Sequence, residues 1–380
     1  MAHESVDLRT MEEEFKRTKV MEIAADFWMI GGYIGQPASV KKSSSNSFIM
    51  LDGDSLILVD PGFHAYFRKK QLEIIRRYAA KGVKRLLLLL THGHFDHIAN
   101  NDVILETGIS DVHFLLQEPG VEIVDLNVYA KDIEALMEYY DARSYEPFYD
   151  ARTEFAGIRT LAVRAEVLPL RNRVKHKVGE VELEGWEVGR FFAIHDAGHS
   201  PDHICIYDPK HKILLIGDLT VEINPPLLNG SLGKSIEMLK KARRLVEQGD
   251  VQLVADAHRS STFLPPMFKA LGIKPLHDLE MVDMVKGRDE CIAFLRMWES
   301  YYTQLREETL AAHKRIGEAT VPEIVQELSK STNPAVLFKK AIAYPVRPSR
   351  MGVMVASILK ETGVKPRKED GRIVFAPKRA

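Results

Sequence analysis

Residues 91–97 read Thr91-His92-Gly93-His94-Phe95-Asp96-His97. Three imidazoles and a carboxylate within six residues are the ligand types of zinc and other first-row metals. Packing offers no good reason for such a cluster, since grouped His and Asp resist burial. His92 and His94 are spaced to face one ion, and Asp96 and His97 to begin a second site beside it. Four residues cannot complete two coordination spheres, so other loops must contribute. The sequence offers His195-Asp196-Ala197-Gly198-His199-Ser200-Pro201-Asp202-His203, then Gly217-Asp218, then Asp256-Ala257-His258. A lone Asp or His after a strand is usually a turn former. Here four loops repeat the pattern, which is stronger than any one residue. His195 and His203 are candidates to orient a ligand rather than to be one. His64, His113, His176, His211, His277 and His313 read as surface or structural.

The elements that must hold these loops are legible in outline. Arg85–Leu90 is apolar without alternation, as in a strand covered on both faces. Apolar strands are also expected at 190–194, 213–216 and 251–255, so each candidate loop begins at the end of a strand. Sites of α/β sheets lie there. Phe48–Leu51 and Leu56–Val59 flank an Asp52-Gly53-Asp54 turn and read as a hairpin that stops at Asp60-Pro61-Gly62. Further strands are expected at 111–116, 161–168, 181–186 and 204–207. Helices are expected at 66–81 and 235–248. Residues 118–160 read as a helical insertion rich in aromatics. After Pro265-Pro266 no strand signal appears for about a hundred residues, and 279–316 reads as helix with a break at Gly287. Thr320-Val321-Pro322-Glu323 opens a helix. A second helix spans 351–362, and 364–375 reads as a small hairpin. The expected organisation is a catalytic domain over 1–280 and a helical, winged-helix-like domain over 281–380.

Composition excludes other classes. The 380 residues carry 52 Lys plus Arg against 53 Asp plus Glu, 45% hydrophobic and 28% charged, so the chain is an ordinary globular one. The balance gives no whole-chain case for nucleic acid. Two cysteines, Cys205 and Cys291, are too few for a disulfide framework and suit a reducing compartment. No signal peptide or membrane span is read, so a cytoplasmic protein without membrane contact is expected.

The His-x-His-x-Asp-His run resembles the signature of the metallo-β-lactamase superfamily. The likeness extends from the Asn46-Ser47 strand through Asp60-Pro61-Gly62, Gly198-His199-Ser200-Pro201-Asp202-His203 and Gly217-Asp218 to His258, in the order of the glyoxalase II branch. It implies an α/β fold, the αβ/βα sandwich, with a dimetal site at one edge of two sheets. By the family pattern His92, His94 and His199 hold one metal, Asp96, His97 and His258 the other, and Asp218 bridges them. The family often has Gly where this chain has Asp202, an acidic residue expected to limit substrate approach. The tail, with His313-Lys314-Arg315-Ile316 ahead of two helices and a wing, resembles the winged-helix domain of the lactamase-β2-like branch.

The expected chemistry is metal-assisted hydrolysis, with two divalent ions (zinc, or else iron or manganese) sharing a hydroxide made by lowering the pKa of water. Asp96 orients that nucleophile while binding metal. Asp218 is typical of thioesterase, lactonase and nuclease branches, so a thioester, lactone or other ester-like small molecule is expected, and a β-lactam is not. One alternative is a nuclease, suggested by Lys365, Arg367, Lys368, Arg372, Lys378 and Arg379, a basic cluster that Glu369 and Asp370 interrupt. Another is a mononuclear-iron enzyme like the persulfide dioxygenases, using His92, His94, His199 and Asp218. A small-molecule substrate and a homo-oligomer complete the expectation.

Overall fold

A computed structural model describes residues 20–32, 44–63, 65–124, 164–221, 224, 229–258, 284–343 and 349–377. Two seven-stranded sheets face each other. The first runs in chain order: β1 (Val20–Ala24), β2 (Phe27–Ile30), β3 (Ser47–Asp52), β4 (Ser55–Val59), β5 (Arg85–Leu89), β6 (Asp111–Gln117) and β7 (Glu166–Leu168). It is antiparallel up to β4 and parallel beyond. The second holds β8 (Val174–Val178), β9 (Val181–Val188), β10 (Phe191–His195), β11 (Ile204–Asp208), β12 (Ile213–Leu215), β13 (Leu253–Ala255) and β14 (Met284–Lys286). Its one parallel pair joins β12 to β13.

Strand periodicity explains the layering. Successive side chains point to opposite faces, so Phe48, Met50, Ile57, Val59 and Leu89 meet Trp186, Phe191, Ile206, Leu215 and Ala255 between the sheets. Their neighbours Ile49, Leu56, Leu58, Leu86 and Leu88 turn outward onto Phe67, Leu72, Ile75 and Tyr78 of helix α1 (Ala65–Ala79). That two-sided cover is why 86–90 reads as unbroken leucine. The outer face of the second sheet packs on α2 (Leu232–Gln248) and α3 (Arg288–Ile316), giving helix–sheet–sheet–helix layers.

Beyond α3 come α4 (Val321–Leu328), α5 (Pro334–Ala343), α6 (Ser349–Glu361) and the hairpin β15 (Pro366–Glu369)–β16 (Arg372–Phe375). Thr320 and Glu323 form a capping box, with Thr320 N–H donating to Glu323 Oε2 at 2.8 Å and Glu323 N–H to Thr320 Oγ1 at 3.4 Å. Their apolar faces share one core with α2, α3 and the second sheet.

Several expectations change. β14 contradicts the absence of strands after Pro265-Pro266. It is three residues long with only Val285 buried, too short to show a pattern. The break at Gly287 is the start of α3, where Gly287 takes φ 101°. β14 and α3 lie beyond the boundary expected at 280, yet they belong to the second sheet and its helical cover. The tail has three helices ahead of the hairpin, not two. The missing one, α5, is signalled by Asn333-Pro334, where Asn333 Oδ1 accepts from Ala335 N–H at 2.9 Å. Strands β1, β2 and β8 were also not expected. Most of the insertion expected at 118–160 lies outside the described residues, as do His64, His277, Pro265, Pro266, Lys378 and Arg379.

Candidate metal centre

Four strand ends converge on one rim of the sandwich. Thr91–His97 follows β5, the 196–203 loop follows β10, Gly217-Asp218 follows β12 and Asp256–His258 follows β13. Asp60, at the end of β4, and Ala197 sit in the left-handed region at φ 50° and 48°, a strained conformation that surrounding contacts must hold. Gly217 takes φ 51°, and a Cβ there would come within 2.4 Å of His203 Nε2. Only glycine therefore lets Asp218 follow so closely.

The structure brings the seven expected ligands into two groups: His92, His94, His199 and Asp218, and Asp96, His97 and His258. In the first, His94 Nδ1 lies 2.8 Å from His92 Nε2 and 3.0 Å from His199 Nε2. In the second, His97 Nε2 lies 3.3 Å from His258 Nε2, and Asp96 Oδ2 lies 3.3 Å from His258 Nε2. Asp218 faces both. Its Oδ2 is 3.4 Å from His199 Nε2 and 3.8 Å from His92 Nε2. Its Oδ1 is 3.3 Å from both His97 Nε2 and His258 Nε2. Asp218 is 5% exposed, and His92 and His97 are 0% exposed.

Outer partners settle which ring nitrogen faces inward. Asn224 Nδ2 donates toward Asp218 O, Leu219 O and Tyr302 Oη. Its Oδ1 is therefore an acceptor, and His199 Nδ1–H donates to it at 2.6 Å. Asp60 Oδ2 accepts from His97 Nδ1 at 2.9 Å and from Thr91 Oγ1 at 2.7 Å. Having donated to Asp60, Thr91 Oγ1 accepts from His92 Nδ1 at 3.1 Å. His92, His97 and His199 thus turn an Nε2 lone pair inward, the arrangement that outer partners impose on metal-ligating histidines. Three imidazole nitrogens and a carboxylate within 4.8 Å of one another have little reason to be buried together except around a cation. The donor set fits divalent metal.

Electrostatics separates the groups. Burial, then the neighbouring imidazoles, holds His92 well below its usual range. Burial does the same to His94, and it takes His199 down to about 4. In the second group burial is outweighed by carboxylates. Asp218, Asp60 and Asp96 push His97 well up, and Asp218 and Asp96 take His258 to about 9. The Asp218 carboxyl itself stays far below its usual range because His258, His97 and His199 overcome its burial.

Other expected residues are placed as follows. His203 orients the site: Asp218 N–H donates to its Nε2 at 2.9 Å, and its Nδ1–H donates to Asp196 Oδ2 at 2.8 Å. His195 lies between Arg173 and Pro201 O. Of the histidines set aside, His113 pairs with Asp111 and Glu166, His176 stacks on Phe192, His211 pairs with Asp208, and His313 bonds Phe375 O. Asp202 does not limit substrate approach. It is fully buried, and its Oδ2 accepts from Gly93 N–H at 2.7 Å while Oδ1 accepts from Ser200 Oγ at 2.6 Å. Its carboxylate ties the His199 loop to the His92–His94 turn. In the sequence Asp60 reads only as part of a turn, and Thr91, Asp196, Asn224 and Tyr302 show no role of their own. A carboxylate ending a buried strand was a signal for Asp60. Asn224 and Tyr302, 78 residues apart, carry none.

A family model described as the metallo-beta-lactamase superfamily matches residues 40–112 and 128–255, just over half of the chain. An uncharacterized protein of Aquifex aeolicus strain VF5 is 25% identical over 214 residues, 54% of this chain and 79% of that protein. A beta-lactamase domain protein from Burkholderia ambifaria superposes with a TM-score of 0.55 at 16% identity, over 95% of this chain and 94% of that one. A metallo-beta-lactamase family protein from Thermus thermophilus does so at 0.55 and 15%, over 93% and 100%. A stereoselective inverting sec-alkylsulfatase from Pseudomonas sp. gives 0.53 at 15%, over 91% of this chain but 50% of that one, so the chain spans half the sulfatase's length. At these identities the structural likeness speaks for the fold alone, while the family model covers both halves of the sandwich and the loops that carry six of the seven expected ligands. The chain belongs to the metallo-beta-lactamase superfamily, whose members are metal-dependent hydrolases.

Proposed function

We propose that the protein holds two divalent ions, zinc first among them, and hydrolyses a thioester, lactone or other ester-like small molecule in the cytoplasm. The observation that carries the two-ion reading is Asp218, whose Oδ2 faces one group of imidazoles and whose Oδ1 faces the other. Bound divalent ions supply Lewis acidity and a water of lowered pKa. The chain supplies the rest. Asp60, Thr91 and Asn224 hold the proton-bearing nitrogens of His97, His92 and His199 away from the centre. Asp96, 13% exposed at its side chain and thus the most open of the ligands, has a carboxylate placed to accept a proton from an attacking water. Burial of the imidazoles keeps the local dielectric low, which strengthens the pull on a developing oxyanion.

The nuclease alternative loses support at the wing. Arg367 pairs with Glu318 and Glu369, and Arg372 pairs with Glu323, so acids within the chain neutralise half of the four described basic residues. The mononuclear-iron alternative leaves Asp96, His97 and His258 without a task. Both cysteines are buried and free, in keeping with a reducing compartment. Among the described residues no helix is long and apolar enough to cross a membrane.

Metal content by mass spectrometry on protein purified without added metal tests the site. Two zincs per chain are expected, and one iron per chain would favour the dioxygenase reading instead. A panel of thioesters, lactones, sulfate esters and phosphodiesters tests the substrate class. Turnover confined to phosphodiesters, with salt-dependent binding of nucleic acid, would overturn the ester reading.

A further inference from the structure

The His199 side of the centre is held by the helical part of the chain, far from the signature motif in sequence. Asn224, which fixes the protonated nitrogen of His199, is itself gripped by two buried side chains. Its Nδ2 donates to Tyr302 Oη of α3 at 2.9 Å, and Lys339 Nζ of α5 donates to its backbone oxygen at 3.4 Å. Tyr302 is 0% exposed and Lys339 1%. The same tyrosine oxygen lies 3.0 Å from Leu219 O and 2.8 Å from Val221 O, so it also pins the stretch that leaves Asp218. Tyr302 is set by ring contacts with Trp298 and Tyr301, both at 5.6 Å, and Tyr301 in turn meets Phe338 of α5 at 5.5 Å.

A second, independent tie runs to the residue before His199. Ser231 N–H donates to Gly198 O at 2.7 Å. Ser231 Oγ and Gly233 N–H both donate to Glu361 Oε2 of α6, at 2.7 and 3.0 Å. Ser357 Oγ, also of α6, donates to Gly230 O at 2.6 Å. A buried lysine and a buried tyrosine hydroxyl are costly to place unless their bonds matter. Here both converge on Asn224, the residue that orients His199.

We propose that Tyr302 and Lys339 are positioning residues that, through Asn224, set the metal affinity of the His92–His94–His199 half of the centre, while in the other half His97 is held by Asp60 at the end of β4. The proposal rests on the two-ion reading of the site. It makes the helices beyond α2 part of the metal centre rather than an appended module. Tyr302→Phe removes the oxygen that accepts from Asn224 and donates to the 219–221 backbone, leaving the ring packing intact. Lys339→Met replaces a buried ammonium by an apolar chain of similar length.

The test is a zinc titration of the full-length, metal-stripped protein against a competing chelator, with the melting temperature of each metal-free variant recorded beside it. The wild type takes up two equivalents. Tyr302→Phe weakens one equivalent by about ten- to a hundredfold, the range for loss of an outer partner, and leaves the other within about threefold. Lys339→Met shows the same selectivity with a smaller loss. Asn224→Asp, which keeps an oxygen for His199 Nδ1–H, retains more affinity than Asn224→Leu. In a His258→Ala background the Tyr302→Phe effect persists on the equivalent that remains, and in a His199→Ala background it disappears. Equal weakening of both equivalents, or unchanged affinities in Tyr302→Phe and Lys339→Met, overturns the proposal. Should Tyr302→Phe fail to fold, the selectivity of Lys339→Met and the Asn224 pair decides. A wild type that binds no zinc sinks the two-ion reading itself, a result that none of the variants can imitate.

Discussion

The two halves of the metal centre share Asp218 but are built differently. His97 is anchored to the first sheet, through an Asp60 that ends β4 and a Thr91 that follows β5. His199 is anchored to helices that the chain reaches 78 and 115 residues after Asn224. His97, like His92 through Thr91, is held from the first sheet, whereas His199 is held by long-range helix packing. Their electrostatics differ in the same sense. Where carboxylates cluster, the imidazoles are driven to keep a proton, and His258 reaches about 9. Where imidazoles cluster without enough carboxylate, burial wins, and His199 falls to about 4. Support and charge are therefore separable properties of the halves, and each can be attacked on its own.

The sharpest blow falls on what the halves share. Asp218→Ala removes the carboxylate that faces all four of His92, His97, His199 and His258. Metal content is expected to drop below one ion per chain, and kcat/KM by more than about a thousandfold. A variant that kept one full equivalent and most of its activity would show that the halves are independent after all.

Asp60→Asn attacks one half. It removes the charge from the carboxylate that accepts from His97 Nδ1 and Thr91 Oγ1. Loss of an outer carboxylate costs about 10–100-fold in metal affinity. The larger loss should fall on the equivalent bound by Asp96, His97 and His258, opposite to the one weakened by Tyr302→Phe, with a smaller loss passed through Thr91 to His92. Both variants acting mainly on the same equivalent would erase the distinction between the halves.

Acid should separate the halves without mutation. A proton and a metal compete for the same imidazole nitrogen. His97 and His258 lie 3.3 Å apart, so the pair shares its protons. With His258 raised to about 9, the metal-free pair holds at least one proton at pH 7. Affinity there should fall by about tenfold per pH unit as pH drops below 9, with a proton released on binding. His199, lowered to about 4, is already neutral, so the other equivalent should stay flat from pH 8 to pH 5. Calorimetry in buffers of different ionisation enthalpy reads the proton count for each equivalent. Equal release from both would refute the electrostatic contrast.

Legibility in the sequence separates the expected ligands from the residues that brace them. All seven residues that the structure gathers at the rim could be read because strand ends leave a local pattern: an apolar run followed by His or Asp. Four of them, two from each half, fall within six residues. Tyr302 and Lys339 lie in helices whose sequence shows ordinary amphipathic spacing, and nothing local marks a core tyrosine as a metal-site brace. The fold was legible for most strands, including the three-residue but fully buried β12 and β13, and not for β1, β2 and β8. It was not legible for β14, three residues of which only Val285 is buried. It failed also for Asp202, because a polar residue beside a ligand reads as substrate-facing until the backbone shows it turned onto Gly93.

The smallest effect concerns the second tie of the helical half. Glu361→Gln keeps an oxygen for Ser231 and Gly233, but it loses the charge that pairs with Arg306. Hydrogen bonds to charged groups contribute about 1.5–3 kcal/mol, and the Arg306 side chain, a third exposed, discounts that for solvent screening. A loss of about 1 kcal/mol in unfolding free energy is expected from denaturant melts. Metal affinity should move by less than about threefold, because Glu361 acts on the backbone before His199 and not on its ring. Were the zinc equivalent of His199 to weaken as much as in Tyr302→Phe, the ring nitrogen would not be the point of control. The helical half would then act by placing the loop, and the contrast with the Asp60 side would be one of distance rather than of kind.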